Sequence, residues 1–476
     1  MTVCFITSKI RSCCSIALVA FMVSGICSCV YSRFLLRHAE IEWMEQQNIH
    51  TMNVFWYWCE QMRLDPMKAL FDDDLLAQTW HAHHLHPNVP VILMALFRGR
   101  QAGSVVLADA SPLPPSRLFV DGGIIPSVLR EEDIPRTRLL PLLLGLTSVL
   151  LLLVWVFQEA GLRQALWTGA LVLMMPQFLA RLCSVSTGSA VVVLWLVLLW
   201  TFRRAKDTLG CRIAIGTVLG VGLGTKATIV LAPICYMLYV LLELWKRGTL
   251  TARPLLKSGR FWLLVVVVGL SVHLVLWPWL WRNPVMRTVE HLAANRLEAE
   301  STVEIFGFTL ERPPFFYPFW FLVTTTPIPI LLFMFVGIWE VLKRLKSADL
   351  DASRHSWVRL HLVSTIVLLS LFLLPLRINL NGAEFFLPLY PSMAVLASEG
   401  LLSLCQRVRL LIFQRAVAME ALALIILLLS VSLDFRFGES VFHYRNIAGT
   451  TMREPSLHAF PRTAAAMYPL HVSRAP

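Results

Sequence analysis

The chain is organised by an alternation. Long apolar runs are separated by short loops rich in Arg and Lys, and by two long loops carrying acids, His and aromatics. The short basic loops are Arg203-Arg204-Ala205-Lys206, Lys246 to Arg260, Lys343 to Lys346, and Gln406-Arg407-Val408-Arg409. They fall after every second apolar run. In polytopic membrane proteins Lys and Arg collect in the cytoplasmic loops. The alternation therefore predicts that these loops share the cytoplasmic face. The two long loops then lie on the opposite face, where the chemistry is expected.

Composition supports this reading. Hydrophobic residues make up 57% of the chain and charged residues 15%, with a mean hydropathy of +0.65. A soluble domain is typically about 45–50% apolar and about 25% charged, so a soluble enzyme is excluded. The net charge of +12 is dispersed among the basic loops. Membrane orientation accounts for it, and nucleic acid is not an expected partner.

A spanning helix needs about 20 mostly apolar residues. On that measure about eleven spans are expected, over 14–34, 139–158, 164–181, 187–202, 212–226, 228–245, 261–281, 317–342, 357–376, 385–405 and 411–433. Lys9 and Arg11 precede the first run as they would in a signal peptide. That run is long, contains Arg33 and offers no small-residue cleavage site, so it reads as a retained span. The expected fold class is thus an all-α polytopic membrane bundle, with a membrane domain over 1–433 and an outer tail over 434–476. The first outer loop spans 33–137 and the second 282–314, and both are expected over an outer-facing cavity.

The first outer loop carries nine Lys and Arg against thirteen Asp and Glu, and is slightly acidic. Its pattern around Met44 to Met62 suits helices lying on the membrane surface. The ten Cys lie mostly in or beside apolar runs. None forms a CxxC pair in a loop, so neither a disulfide framework nor a zinc site is expected.

Charged residues at the edges of the apolar runs are the candidates for chemistry. Lys226 follows Gly220-Val221-Gly222-Leu223-Gly224-Thr225, between two apolar runs. An ammonium placed there either grips an anion or snorkels to the interface. The glycines permit close helix packing and do not form a nucleotide-binding loop. Glu40, Glu42 and Glu45 follow the first span directly and are held at the outer surface. One of them would serve as a general base, or all three are solvated helix charges. Asp72-Asp73-Asp74 reads as a loop or helix cap. His291 and Arg296, with Arg282 and Arg287 nearby, stand in the second loop as cations able to hold a phosphate or face lipid headgroups.

Several segments, taken in order, resemble one known family. His86-Pro87-Asn88-Val89-Pro90 follows the first acids, and Arg138-Leu139-Leu140-Pro141 opens the second span. Gly220 to Pro233 comes next, then Trp277-Pro278-Trp279-Leu280-Trp281 with Asn283-Pro284. Phe306-Gly307, Arg312-Pro313-Pro314-Phe315-Phe316-Tyr317-Pro318 and Thr326-Pro327 follow. Asn381-Gly382 and Phe386-Leu387-Pro388-Leu389-Tyr390-Pro391 close the series. Together these resemble the GT-C integral-membrane glycosyltransferases, in the branch of protein mannosyltransferases and lipid A aminoarabinose transferases.

The chain departs from that pattern at three places. Only Glu follows the first span where the family has Asp, Thr187-Gly188 replaces Thr-Asp, and Glu384-Phe385 replaces Arg-Tyr. The resemblance implies transfer of a sugar from a polyprenyl-phosphate donor to a lipid, glycan or protein acceptor. The reaction would take place on the non-cytoplasmic face of a plasma or inner membrane, or of the endoplasmic reticulum. Glu42, Glu40 or Glu45 would act as base, and Lys226, His291 and Arg296 would hold the donor phosphate. No metal and no cofactor are implied. The alternatives are a non-catalytic relative serving as a membrane scaffold, and a transporter, which would need charges on broken helices within the membrane.

Overall fold

The computed structural model describes residues 43–72, 89–98, 134–205, 208–246, 248, 252–297, 303–305, 308–310, 314, 316–346, 356–373, 386–411 and 424–427. Helix dominates these residues. Helices α1 (Trp43–Leu64), α2 (Pro66–Phe71) and α3 (Val89–Arg98) come from the first long loop. Then follow α4 (Ile134–Ala160), α5 (Leu162–Leu173), α6 (Pro176–Cys183), α7 (Gly188–Arg204), α8 (Leu209–Leu223), α9 (Leu231–Lys246) and α10 (Ala252–Leu276). Helix α11 (Pro284–Leu297) and a hairpin of β1 (Val303–Ile305) and β2 (Phe308–Leu310) lie in the second long loop. The chain continues through α12 (Tyr317–Thr325), α13 (Ile328–Lys346), α14 (Ser356–Leu373) and α15 (Leu389–Leu411).

Among the described residues, three helical stretches, Arg136–Ala160, Ala227–Lys246 and Gly259–Leu276, are each long and apolar enough to cross a membrane. Apolar stripes face away from the core. Leu332, Phe335, Trp339 and Leu342 recur at helical spacing on α13, and Leu263, Val266, Val267 and Leu270 do so on α10, all exposed. Water would not tolerate such contiguous stripes, but lipid covers them without cost. The protein is an integral membrane protein that crosses several times.

The expected spans that fall on described residues are helical, but two of them are broken. The run over 164–181 was expected as one helix and is instead α5 and α6, bent by 81°. Pro176 begins α6 and holds Met175 in an extended conformation, because proline's ring crowds the residue before it. The run over 317–342 breaks in the same way at Thr326, which is extended ahead of Pro327. Within this all-α fold the second long loop carries one short β1–β2 hairpin, which pairs Val303 with Leu310 and Ile305 with Phe308. The expected spans over 14–34 and 411–433 lie largely outside the described residues, as does the tail over 434–476.

Two helix pairs approach closely. A Cβ on Gly337 of α13 would collide with the carbonyl oxygen of Leu396, and one on Gly400 of α15 with that of Phe333. On α8, a Cβ at Gly220 would stand 2.5 Å from the Gly269 oxygen of α10. Only glycine lets the backbones meet at that distance, and van der Waals packing is a main attraction between helices in lipid. The core between the helices is aromatic and aliphatic, with Trp155, Trp195, Phe202 and Tyr390 among its largest buried side chains.

Among the described residues, the basic side chains Arg203, Lys246, Arg344, Arg359 and Arg407 lie at one end of the bundle. There Arg203 of α7 makes a two-pronged pair with Glu159 of α4, at 3.0 and 2.9 Å. The same guanidinium donates to Tyr239 of α9 and Ser356 of α14. Arg359 of α14 grips Glu243 of α9 through both carboxylate oxygens. Arg344 of α13 pairs with Glu399 of α15, which also accepts from Gln164 of α5, and Arg407 pairs with Glu340. Lys246 links the two groups by donating to the Arg344 carbonyl at 3.3 Å.

Candidate active site

The opposite end of the bundle is capped by the long loops. Met52 and Phe55 of α1 and Val91, Met94 and Ala95 of α3 pack against Trp277, Trp279 and Leu280, the segment leading into the second loop. The stretch forms because Trp277-Pro278 stops α10 and turns the chain through a short 3-10 helix, Pro278–Leu280. Arg287 of α11 then donates to the Trp279 carbonyl and lies 5.5 Å from the centre of the Trp279 ring. The described helices of the first long loop therefore pack against the segment that enters the second.

Beneath the cap, two breaks expose polar backbone. The first follows α8. Gly224 caps the helix, and the N–H groups of Thr225 and Lys226 both donate to the Gly222 carbonyl at 2.9 Å. Lys226 is extended, and its carbonyl accepts from Ile229 to start a 3-10 turn, Ala227–Val230, that leads into α9. The Lys226 side chain is only 3% exposed. An ammonium so placed must be compensated by electron-rich neighbours or a bound anion, since its desolvation is costly.

The second break, Ser184 to Thr187, separates α6 from α7. The Ser186 N–H donates to the Ser184 carbonyl, and the Ser186 hydroxyl accepts from the Gly188 N–H. Gly188 opens α7 directly against Leu387. The N-terminal turn of α15 follows there. Its Tyr390 is fully buried, lies tilted against Phe178 with ring centres 5.8 Å apart, and sits beside Thr325 with Arg181 in range.

The first long loop reaches both breaks. The Asn48 side-chain amide of α1 donates to the Val185 carbonyl at 2.7 Å, and the Val89 N–H of α3 donates to the Gly224 carbonyl at 3.1 Å. Carbonyls freed where a membrane helix stops must find donors, and the loop supplies two.

The candidate residues distribute over this arrangement unevenly. Lys226 lies at the capped end, within a break. The backbone of Glu45 occupies the first turn of α1, three residues before Asn48, at the same end. Glu40 and Glu42 lie outside the described residues, as do Asp73, Asp74 and the His81 to Pro87 stretch. Asp72 caps α2 through its own N–H, which donates to the Lys68 carbonyl, in keeping with a cap. His291 and Arg296 lie on α11, whose start follows the Trp turn; of these two the described features are the backbone positions alone. Among the described residues no group of three or more His, Cys, Asp or Glu gathers to hold a metal.

The sequence reading gave no role to Arg138, Arg181, Thr325, Thr326 or Tyr390. Arg138 begins the membrane part of α4 and is only 1% exposed, while Thr326 and Tyr390 are fully buried. The available signal was a polar residue at the edge of an apolar run. Arg138, Thr326 and Tyr390 stand inside the motifs quoted above, where they served only as markers.

No protein-family model matches the chain, and no curated protein matches it. Solved structures similar to it include ArnT from Cupriavidus metallidurans in the apo state, at a TM-score of 0.40 and 16% identity. That match covers 65% of this chain and 59% of the other. The same protein bound to undecaprenyl phosphate matches at a TM-score of 0.43 and 14% identity, covering 75% of this chain and 63% of the other. The chain thus spans less than two thirds of either structure. A similarity of this size identifies neither a family nor an activity.

Proposed function

We propose that the protein is a GT-C-like membrane glycosyltransferase, which moves a sugar from a polyprenyl-phosphate donor to a lipid, glycan or protein acceptor on the capped face. The observation that carries this reading is the buried Lys226 ammonium in a helix break at the end where helices of the first long loop pack against the segment entering the second. A lipid-linked donor reaches such a place laterally from the bilayer. Its phosphodiester lies near the interface, where a desolvated cation binds it most strongly.

The chemistry needs few parts. A carboxylate takes the proton of the acceptor hydroxyl, whose oxygen forms a bond to the anomeric carbon. The bond from that carbon to the phosphate oxygen breaks on the opposite face. Its electron pair leaves with polyprenyl phosphate, already a stable anion. Glu45, Glu42 or Glu40 supplies the carboxylate, and Lys226 steadies the phosphate before and after the break, with His291 and Arg296 as further cations. The capped face is then the non-cytoplasmic one, because the opposite end carries the basic loops.

The helix breaks also suit a transporter, which binds substrate where membrane helices are interrupted. The two readings separate on one assay. Membranes containing the protein are given labelled polyprenyl-phosphate sugars, and covalent transfer is measured. Lys226→Ala should weaken donor binding by about 10- to 100-fold, as loss of a charge-assisted contact does. Gln at the base should leave binding intact and slow transfer by about 10²–10⁴-fold. Movement of intact donor without transfer would establish the transporter, and no effect of the protein on any donor would favour the scaffold.

A further inference from the structure

A short joint ties the loop helix α3 to the Lys226 break. The Val89 N–H donates to the Gly224 carbonyl, and a Cβ added at Gly224 would stand 2.8 Å from Val89 Cγ2. Gly224 itself has φ −68° and ψ −3°, a conformation open to every residue. Glycine is therefore needed here for room. It admits Val89 and not an unusual backbone angle. Two residues on, Lys226 is held through its own N–H to the Gly222 carbonyl, and Ile229 packs into the space a Gly222 side chain would take. The Val89 contact and the Lys226 backbone are thus parts of one tight turn, Gly222 to Ile229.

We infer that the Val89–Gly224 joint is a positioning contact for Lys226. Seating α3 on the break fixes the turn, keeps water from the ammonium, and presents it to an anionic headgroup. Val89 and Gly224 touch no reacting atom and act only through Lys226. The functional consequence rests on the reading of Lys226 as the donor-phosphate cation; the structural consequence does not.

The two parts can be tested separately with the full chain in lipid nanodiscs. Modification of Lys226 by a water-soluble amine reagent, read by mass spectrometry, reports the joint. Binding of a polyprenyl monophosphate reports the site. In Gly224→Ala the new methyl displaces Val89, and labelling of Lys226 should rise about tenfold, the scale of one lost hydrogen bond. Adding Val89→Ala makes room again and should restore protection. Should Gly224→Ala fail to fold, Val89→Pro removes the N–H donor, and with it the Val89 methyls, at a helix start where proline is accepted. It should raise labelling likewise. Unchanged labelling in both single variants, or no restoration in the double variant, would overturn the inference. If labelling rises while polyprenyl monophosphate binding stays at the parent level, the positioning role stands and the donor-phosphate reading of Lys226 falls. If the parent binds no polyprenyl monophosphate, labelling alone still decides.

Discussion

The two ends of the bundle are held by different forces. At the basic end, Arg203, Arg344, Arg359 and Arg407 each meet a glutamate on another helix, and Lys246 bridges the two groups. At the capped end, the contact between loops and helices is an apolar cluster around Trp277 and Trp279, with single hydrogen bonds from Asn48 and Val89 to freed carbonyls. Two of these pairs, Arg203–Glu159 and Arg359–Glu243, are shielded from water and so demand both partners and resist separation, while Arg344 and Arg407 stand partly exposed. Single hydrogen bonds contribute about 1 kcal/mol each and exchange readily. The comparison teaches where the molecule can yield. Local opening is drawn from the weakly held end, and that end contains Lys226 and the backbone of Glu45. A donor carried in the bilayer and an acceptor arriving from outside would both need access there, while the basic end stays closed.

The largest effect should come from breaking the strong end. Glu243→Ala leaves the Arg359 guanidinium, 3% exposed, without its two-pronged carboxylate. Removing one member of such a pair costs about 3–5 kcal/mol. Unfolding in detergent, followed by heat or denaturant, should show a loss of that order. If the variant is as stable as the parent, charge does not hold this end.

A smaller effect is expected at the cap. Asn48→Ala removes one donor from the Val185 carbonyl and should cost about 0.5–1.5 kcal/mol. Its mark should be local. Hydrogen exchange should quicken over α1 and the Ser184–Thr187 break while the basic end keeps its protection. Uniform quickening across the bundle would erase the contrast between the ends.

The smallest effect belongs to a charge pair at the capped end. Arg63 and Glu60 pair at 2.7 Å on α1, with Arg63 74% exposed. Water and salt screen such a pair, so Arg63→Ala should change stability by less than about 1 kcal/mol. A large loss would show that location in the fold matters less than pairing itself.

Much of this architecture was legible along the chain. The apolar runs became helices because lipid leaves the backbone no other economical way to satisfy its own N–H and C=O groups. Arg203, Lys246, Arg344 and Arg407 share one end, in keeping with basic residues that follow every second apolar run. Pro176 and Pro327 were visible in the sequence, but a proline inside an apolar run permits either a kinked span or a true break. The structure has a break at both. Likewise Asn48 and Val89 gave no sign that they would reach Val185 and Gly224, 137 and 135 residues away in sequence.

The sequence by itself determined the class of fold, the flanking of the apolar runs by basic residues, and the presence of an awkward lysine after a glycine-rich helix. These are local or periodic properties, set by each segment's transfer free energy and by the charges at its flanks. Only the tertiary structure decided which glutamate answers which arginine, which carbonyls the loop helices satisfy, and that Arg138, Thr326 and Tyr390 are buried. Such matches join residues far apart in sequence. They depend on helix rotation and on approach distances set by contacts such as Gly220 against Gly269, which no single segment encodes.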